Sequence, residues 1–250
     1  MRGITGMKAV RNVTIQIPLF NETDALRFSK FYFDSIGESV RYVMDAQCSD
    51  RTKAIVRELD IEEVYFPNDK PFIENGYEAF AAAAPTDWIF RIDCDELPTP
   101  EALTFARTSE IPPDTVVSFE RHQVIWDEGR FISPVHESFN PLDQRQFRLF
   151  NRALASFDRN IHTPGIHIGT SVHAPSGATL FHLSWIFLSW EDRIAKADRY
   201  DAHGQPAYNR ANQLFSLDHK VWNEAPPSVV QDVYFDWIRR EKQSSPPSIW

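Results

Sequence analysis

Four short runs rich in β-branched and aromatic residues, 13–20, 40–44, 63–66 and 88–92, alternate with three stretches of helical character. No other feature of the chain restricts its fold as much. The first run carries Val13, Thr14, Ile15 and Ile17, and Asn21-Glu22-Thr23-Asp24 then supplies an N-cap with acidic first-turn residues. A helix bearing Leu26, Phe28, Phe31, Tyr32, Phe33 and Ile36 follows. The second run ends at Asp45, and Ser49-Asp50-Arg51-Thr52 opens a second helix that ends near Leu59. Pro67 stops the third run; residues 72–84 read as a third helix, closed by Pro85. Strands alternating with helices of this length predict β-α-β units and a parallel sheet.

In such sheets ligands bind beyond the carboxyl ends of the strands, where Glu22, Asp45, Asp93 and Asp95 all fall. The fourth run breaks abruptly into Asp93-Cys94-Asp95-Glu96. Side chains alternate along a strand, so Asp93 and Asp95 would leave one face together. Paired carboxylates repel, and a hard divalent cation relieves that repulsion. The bland reading of the same residues is a strand ending in a solvated acidic turn.

Beyond the acidic cluster, Thr99-Pro100-Glu101 is a helix start. Residues 115–125 read as a strand, 127–130 as a turn into Phe131-Ile132, and 144–150 as another strand. This half is expected to be more antiparallel. Residues 179–186 are apolar around His182, and Ser189-Trp190-Glu191-Asp192 caps a helix running to about Tyr200. A further helix is expected over 229–240, and the Ser- and Pro-rich residues 243–250 read as a loose tail.

Composition narrows the function classes. A chain of 250 residues, 42% hydrophobic and 13% aromatic, can bury a sizeable core. The formal net charge of -9 argues against nucleic acid or an anionic membrane as partner, and a phosphorylated substrate would need a local cation. Cys48 and Cys94 lack metal-ligand spacing and read as reduced thiols. No secretory signal pattern is present, and the apolar stretch 180–190 is too short for a transmembrane segment. A cytoplasmic protein is the expectation.

Three ordered segments carry a resemblance. Ile17-Pro18-Leu19-Phe20-Asn21-Glu22 is similar to a first strand ending in Pro-x-Tyr-Asn-Glu. Residues 43–52 resemble Val-Asp-Asp-Gly-Ser-x-Asp-x-Thr, with Gln47 and Cys48 where glycine is usual. Residues 87–96 resemble Asp-Trp-Ile-Leu-x-Leu-Asp-Ala-Asp-Glu. The chain thus resembles a family 2 glycosyltransferase of the GT-A fold. Phe147-Arg148-Leu149-Phe150, Phe181-His182-Leu183 and Lys196-Ala197-Asp198-Arg199-Tyr200 resemble the branch that modifies lipopolysaccharide core or capsule. The resemblance spans roughly residues 13–200.

It implies an α/β fold with a mostly parallel central sheet flanked by helices and a mixed antiparallel acceptor-side portion. The implied layout is an N-terminal segment 1–12, a GT-A domain 13–200 with halves 13–98 and 99–200, and a C-terminal helical extension and tail 201–250. It implies inverting transfer from a nucleotide-diphosphate sugar to a glycan or lipid-linked acceptor, as in surface polysaccharide synthesis, by a cytoplasmic protein peripheral at the inner face of the membrane through its acceptor.

Mg²⁺ or Mn²⁺ would be held by Asp93 and Asp95, the second being the usual direct ligand of the family. Glu22, Asp45 and Asp93 would meet the nucleotide. Asp45 has a second, lesser reading as an Asx-turn or helix cap, and Glu22 reads equally as a residue favouring the helix N-terminus. His182 is either a further metal ligand or a satisfied core histidine. Arg148 is either a phosphate fork or a structural ion pair. Two residues are candidates for the catalytic base, Glu137 and Asp192, the latter also a capping residue.

Three other readings stand beside this one. A catalytically degenerate GT-A scaffold would bind nucleotide or glycan without turnover. A haloacid-dehalogenase-type phosphotransferase also uses Asp-x-Asp, but after its first strand and with Thr or Val where Leu97 stands. A sugar nucleotidyltransferase would carry a Gly-rich loop after the first strand, which is absent.

Overall fold

The computed structural model describes residues 11–69, 73–127, 130–135, 145–158, 165–202, 221–224 and 228–244. Residues 15–19 of β1 (Val13–Leu19) are buried on both faces, as expected of a strand inside a parallel sheet. Pro18 is tolerated there because β1 pairs with the fourth strand only as far as Gln16↔Arg91. The missing N–H therefore falls past the end of that ladder.

The expected alternation is present. β1 is followed by α1 (Asp24–Ser35), β2 (Val40–Asp45), α2 (Asp50–Glu58), β3 (Tyr65–Phe66), α3 (Ile73–Ala82) and β4 (Trp88–Arg91). Then come β5 (Glu96–Pro98), α4 (Pro100–Thr108), β6 (Thr115–Gln123), β7 (Ile125–Asp127), β8 (Arg130–Val135) and β9 (Gln146–Asn151). The short strands β10 (Ser156–Phe157), β11 (Ile166–His167), β12 (Thr170–His173) and β13 (Thr179–His182) follow. The chain continues through α5 (Ser184–Phe187), α6 (Trp190–Asp201), β14 (Val221–Glu224) and a last described helix, α7 (Ser228–Ser244).

The main sheet has nine strands in the order β3-β2-β1-β4-β9-β6-β13-β5, with β12 beside β6. β3, β2, β1 and β4 run parallel; β9 opposes both β4 and β6. β12 and β13 are parallel to β6, and β5 is antiparallel to β13. The fold is α/β with a mostly parallel sheet and some antiparallel strands, as the alternation predicts. The second half is mixed and more antiparallel, as expected: β6, β12 and β13 continue the parallel direction, β9 and β5 reverse it, and β10–β11, β7–β8 and β8–β14 pair antiparallel. Asp127 and Arg130, at the two ends of the predicted turn, pair in the antiparallel strands β7 and β8, and Glu128 and Gly129 lie outside the described residues.

Helix ends follow local chemistry. Ser49 and Thr99 are N-caps whose hydroxyls accept from the N–H of Thr52 and Ala102, at 3.3 and 3.2 Å. At α1 the expected cap is not made. Thr23 holds the N-cap position without a side-chain bond. Asn21 Oδ1 instead accepts from the Ser49 N–H at 2.9 Å, tying the starts of α1 and α2 together.

The core runs through both halves. α1 buries Leu26, Phe28, Tyr32 and Phe33 on one face, and the Tyr32 hydroxyl donates to the Pro98 carbonyl at 2.6 Å. α7 crosses this helix: Phe28 meets Phe187, Tyr234 and Trp237 at ring-centroid distances of 5.5, 5.5 and 5.3 Å. Among the described residues no helix is long and apolar enough to cross a membrane.

Candidate functional site

β4 ends at Arg91, so the acidic cluster lies on a turn rather than on the strand. The turn is closed by the Glu96 N–H donating to the Asp93 carbonyl at 2.9 Å. Asp93 and Asp95 therefore do not share a strand face, and each has its own surroundings. Arg148 from β9 donates to Asp93 Oδ2 at 2.6 Å, while Arg91 pairs with Asp93 Oδ1. The same Arg148 grips Glu96 through Nε at 3.0 Å and Nη2 at 2.6 Å.

Glu96 is completely buried and also faces Arg121 Nη1 at 3.5 Å. The Arg91 guanidinium stacks over the Tyr77 ring, 4.8 Å from its centroid. Arg148 is thus a structural ion-pair residue in this state, shared between two carboxylates. Burial acts to raise the Glu96 pKa, but Arg148 and Arg121 outweigh it and hold the group well below the usual carboxylate range. Burial acts to lower the Arg148 pKa, and Asp93 and Glu96 reverse that too. The roles of Glu96, Arg121 and Arg91 went unread in sequence; the third acid after the apolar run was the available signal.

Asp95 looks the other way. β13 pairs with β5 in the register His182↔Glu96 and with β6 in the register His182↔Gln123. This brings His182 beside the turn although it is far away in sequence. The Leu183 N–H donates to the Asp95 carbonyl at 2.7 Å and fixes the approach. His182 Nδ1 lies 2.6 Å from Gln123 Oε1, and His182 Nε2 lies 3.3 Å from Asp95 Oδ2. Since an amide oxygen only accepts, Nδ1 donates to Gln123, and Nε2 faces the Asp95 carboxylate. Burial acts to raise the Asp95 pKa, but His182, Lys196 and Arg121 outweigh it, so the group is ionised at neutral pH.

This pair fits a divalent cation. Two ligands at right angles on an octahedral Mg²⁺ lie roughly 3 Å apart, close to the 3.3 Å between Nε2 and Oδ2. Among the described residues no group of three or more His, Cys, Asp or Glu side chains could hold a metal ion. A cation here would have Asp95 and His182 as protein ligands and would draw the rest from substrate oxygens or water. Asp93 has both oxygens engaged by arginines.

The remaining candidates divide clearly. Asp45, 2% exposed, accepts from the Gln47 N–H at 2.8 Å and from Asn68 Nδ2 at 2.7 Å. It stands at the end of β2 as an Asx-turn residue. That turn needs no glycine at 47 or 48, since Asp60 is the one non-glycine residue of positive φ among those described. Glu22 folds back so that Oε2 accepts from the Phe20 N–H at 2.6 Å. Burial pushes its pKa up, opposed by backbone hydrogen bonds and by Lys196.

Asp192 Oδ2 accepts from both the N–H and the hydroxyl of Ser189, at 3.2 and 2.9 Å, and the Asp192 N–H donates back at 3.1 Å. It is exposed and completes a capping box for α6. Glu137 lies outside the described residues, as does the neighbouring His136.

No family model matches the chain, and no curated protein matches it. Among solved structures it is similar to S. aureus TarS 1-349, with 13% identity, a TM-score of 0.44, and coverage of 83% of this chain and 73% of that one. A second likeness is the inositol-1-phosphate CTP transferase from T. maritima, at 12% identity and TM-score 0.39, covering 78% and 98%. A third is 4-diphosphocytidyl-2C-methyl-D-erythritol synthase, at 13% identity and TM-score 0.41, covering 76% and 97%.

Proposed function

We propose that the chain transfers a sugar from a nucleotide-diphosphate sugar to a hydroxyl of a glycan or lipid-linked acceptor, with Mg²⁺ or Mn²⁺ held by Asp95 and His182. The observation that carries this reading is the Asp95–His182 pair beyond the carboxyl end of β4. An ionised carboxylate and an imidazole nitrogen face each other where an open α/β sheet binds ligands. A divalent cation bound there supplies charge stabilisation for the departing diphosphate.

The protein's own residues divide the remaining work. Arg148 and Glu96 hold the turn so that Asp95 projects from it. Asp45, at the end of β2, lies on the side of β1 away from β4 and, with both oxygens engaged, shapes the turn that would border the nucleoside. The capping bonds of Asp192 leave Glu137 as the proposed base. Inversion at the anomeric centre and a role in surface polysaccharide synthesis belong to the same proposal.

Thermal unfolding with UDP, GDP and CDP, each with and without Mn²⁺, tests the reading. At least one diphosphate should raise the midpoint only in the presence of metal, and Asp95→Ala should abolish the rise. No rise in any combination, with Asp95→Ala behaving like wild type, would sink it. Metal-dependent binding with no transfer to any glycan acceptor, and with Glu137→Gln changing nothing, would favour the degenerate scaffold instead.

A further inference from the structure

Arg91, Arg148 and Arg121 all reach the turn that follows β4, but only the first two donate hydrogen bonds to its acids. Glu96 is already filled at close range. Its Oε1 takes Arg148 Nη2 at 2.6 Å, and its Oε2 takes Arg148 Nε at 3.0 Å and the Asp93 N–H at 3.1 Å. Arg121 of β6 stands farther out, with Nη1 3.5 Å from Glu96 Oε1. It lends charge to that carboxylate, yet among the described residues its guanidinium donates no hydrogen bond, and its Nε is buried without a partner.

Its place is set by the sheet. In the pairing of β6 with β13, Arg121 opposes Leu180 and Gln123 opposes His182. Side chains two apart on a strand leave the same face, so Arg121 projects beside Gln123, whose Oε1 accepts from His182 Nδ1. Arg121 thus stands one row inward from His182 and against the residue that follows Asp95. Its side chain is 22% exposed, so part of the guanidinium remains open to a ligand at this place. Half-desolvated donors without acceptors are costly until water or an anion meets them.

We propose that Arg121 is the oxyanion fork of this site, gripping two oxygens of a phosphate or carboxylate on the donor substrate. This rests on the transferase reading above. The strand order places β6 between β2, which ends at Asp45, and β13, which carries His182. A donor that runs from the end of β2 to the Asp95–His182 pair therefore crosses the strand of Arg121. The planar guanidinium matches the geometry of phosphate and carboxylate, which a point charge does not. A chain of net charge -9 holds a polyanion only where a cation still has donors to offer.

Isothermal titration in Mn²⁺ tests this on wild type, Arg121→Lys and Arg121→Gln, with UDP, GDP and CDP and with the glucose and glucuronate conjugates of whichever binds. Arg121→Lys keeps the charge beside Glu96, so its unliganded thermal midpoint should match that of wild type. Its affinity should nevertheless fall about tenfold, and Arg121→Gln should lose at least as much. A loss already present with the free diphosphate assigns the fork to phosphate. A loss confined to the glucuronate conjugate assigns it to a sugar carboxylate. Affinities unchanged for every ligand in Arg121→Lys overturn the proposal while the transferase reading stands. A lowered midpoint in Arg121→Gln with no change in affinity also overturns it, in favour of a structural arginine. Wild-type protein that binds none of these ligands removes the transferase reading and this proposal with it.

Discussion

At Arg148 one side chain of β9 governs how the acidic turn behaves. It is 1% exposed and donates to both Asp93 and Glu96. Replacing it with Met keeps most of the volume but removes the cation shared by both carboxylates, leaving Asp93 with Arg91 and the buried Glu96 with only Arg121 at 3.5 Å. Removing one partner of a buried pair costs about 3–5 kcal/mol, so Arg148→Met should lower the urea midpoint by a corresponding amount. Glu96→Gln in the same background should return part of that loss, because the unpaired buried charge is gone. A midpoint unchanged in Arg148→Met would show that the network contributes nothing. The Asp-x-Asp-Glu string announced an acidic site; it did not say which acid faces outward. That division depends on which arginines sheet pairing brings close, and Arg148 comes from the antiparallel strand β9.

Elements were legible where one local cause decides them. Ser49 and Thr99 were readable as helix starts because a cap acts within three residues. The helix at 228–244 was readable from its own pattern, whereas β14 was not, since its partner β8 lies far back in the chain. α3 shows a limit of propensity. Gly76 lies in its interior, where alanine would usually be favoured by about 1 kcal/mol. Here an added Cβ would lie 2.5 Å from the Phe66 ring of β3. Gly76→Ala should therefore destabilise, by about 1–3 kcal/mol of overpacking less the helical gain, measured as a lower thermal midpoint. The double variant Gly76→Ala with Phe66→Leu should relieve part of that clash. A stabilised Gly76→Ala would mean that β3 yields easily.

For the whole molecule the buried acids set the acid limb of stability. Glu96 has a folded pKa depressed below its ordinary 4.5 by Arg148 and Arg121 acting against burial. Its contribution is fully present above 4.5 and is lost as pH falls toward the folded value; Asp95 adds a loss of the same sign below 3.8. Below about pH 5 this contribution to the urea midpoint falls away, opposed by Glu22, whose raised pKa acts with the other sign. The Glu96→Gln protein should start lower at neutral pH and fall less. Parallel pH profiles for the two proteins would contradict this. Near its other end the chain closes over the same core, with Tyr234 5% exposed against Phe28.

The β-α alternation, the parallel direction of β1 to β4 and the acidic residues beyond their ends follow from the sequence by itself. Each depends on periodicity and capping within one short stretch of chain. Tertiary structure alone decided that Asp93 and Glu96 are held by arginines while Asp95 faces His182. It also decided that β6 and β13 keep the parallel sense and that Asp192 spends its carboxylate on a helix cap. These depend on which distant strands pair and in what register, and no local pattern carries that information.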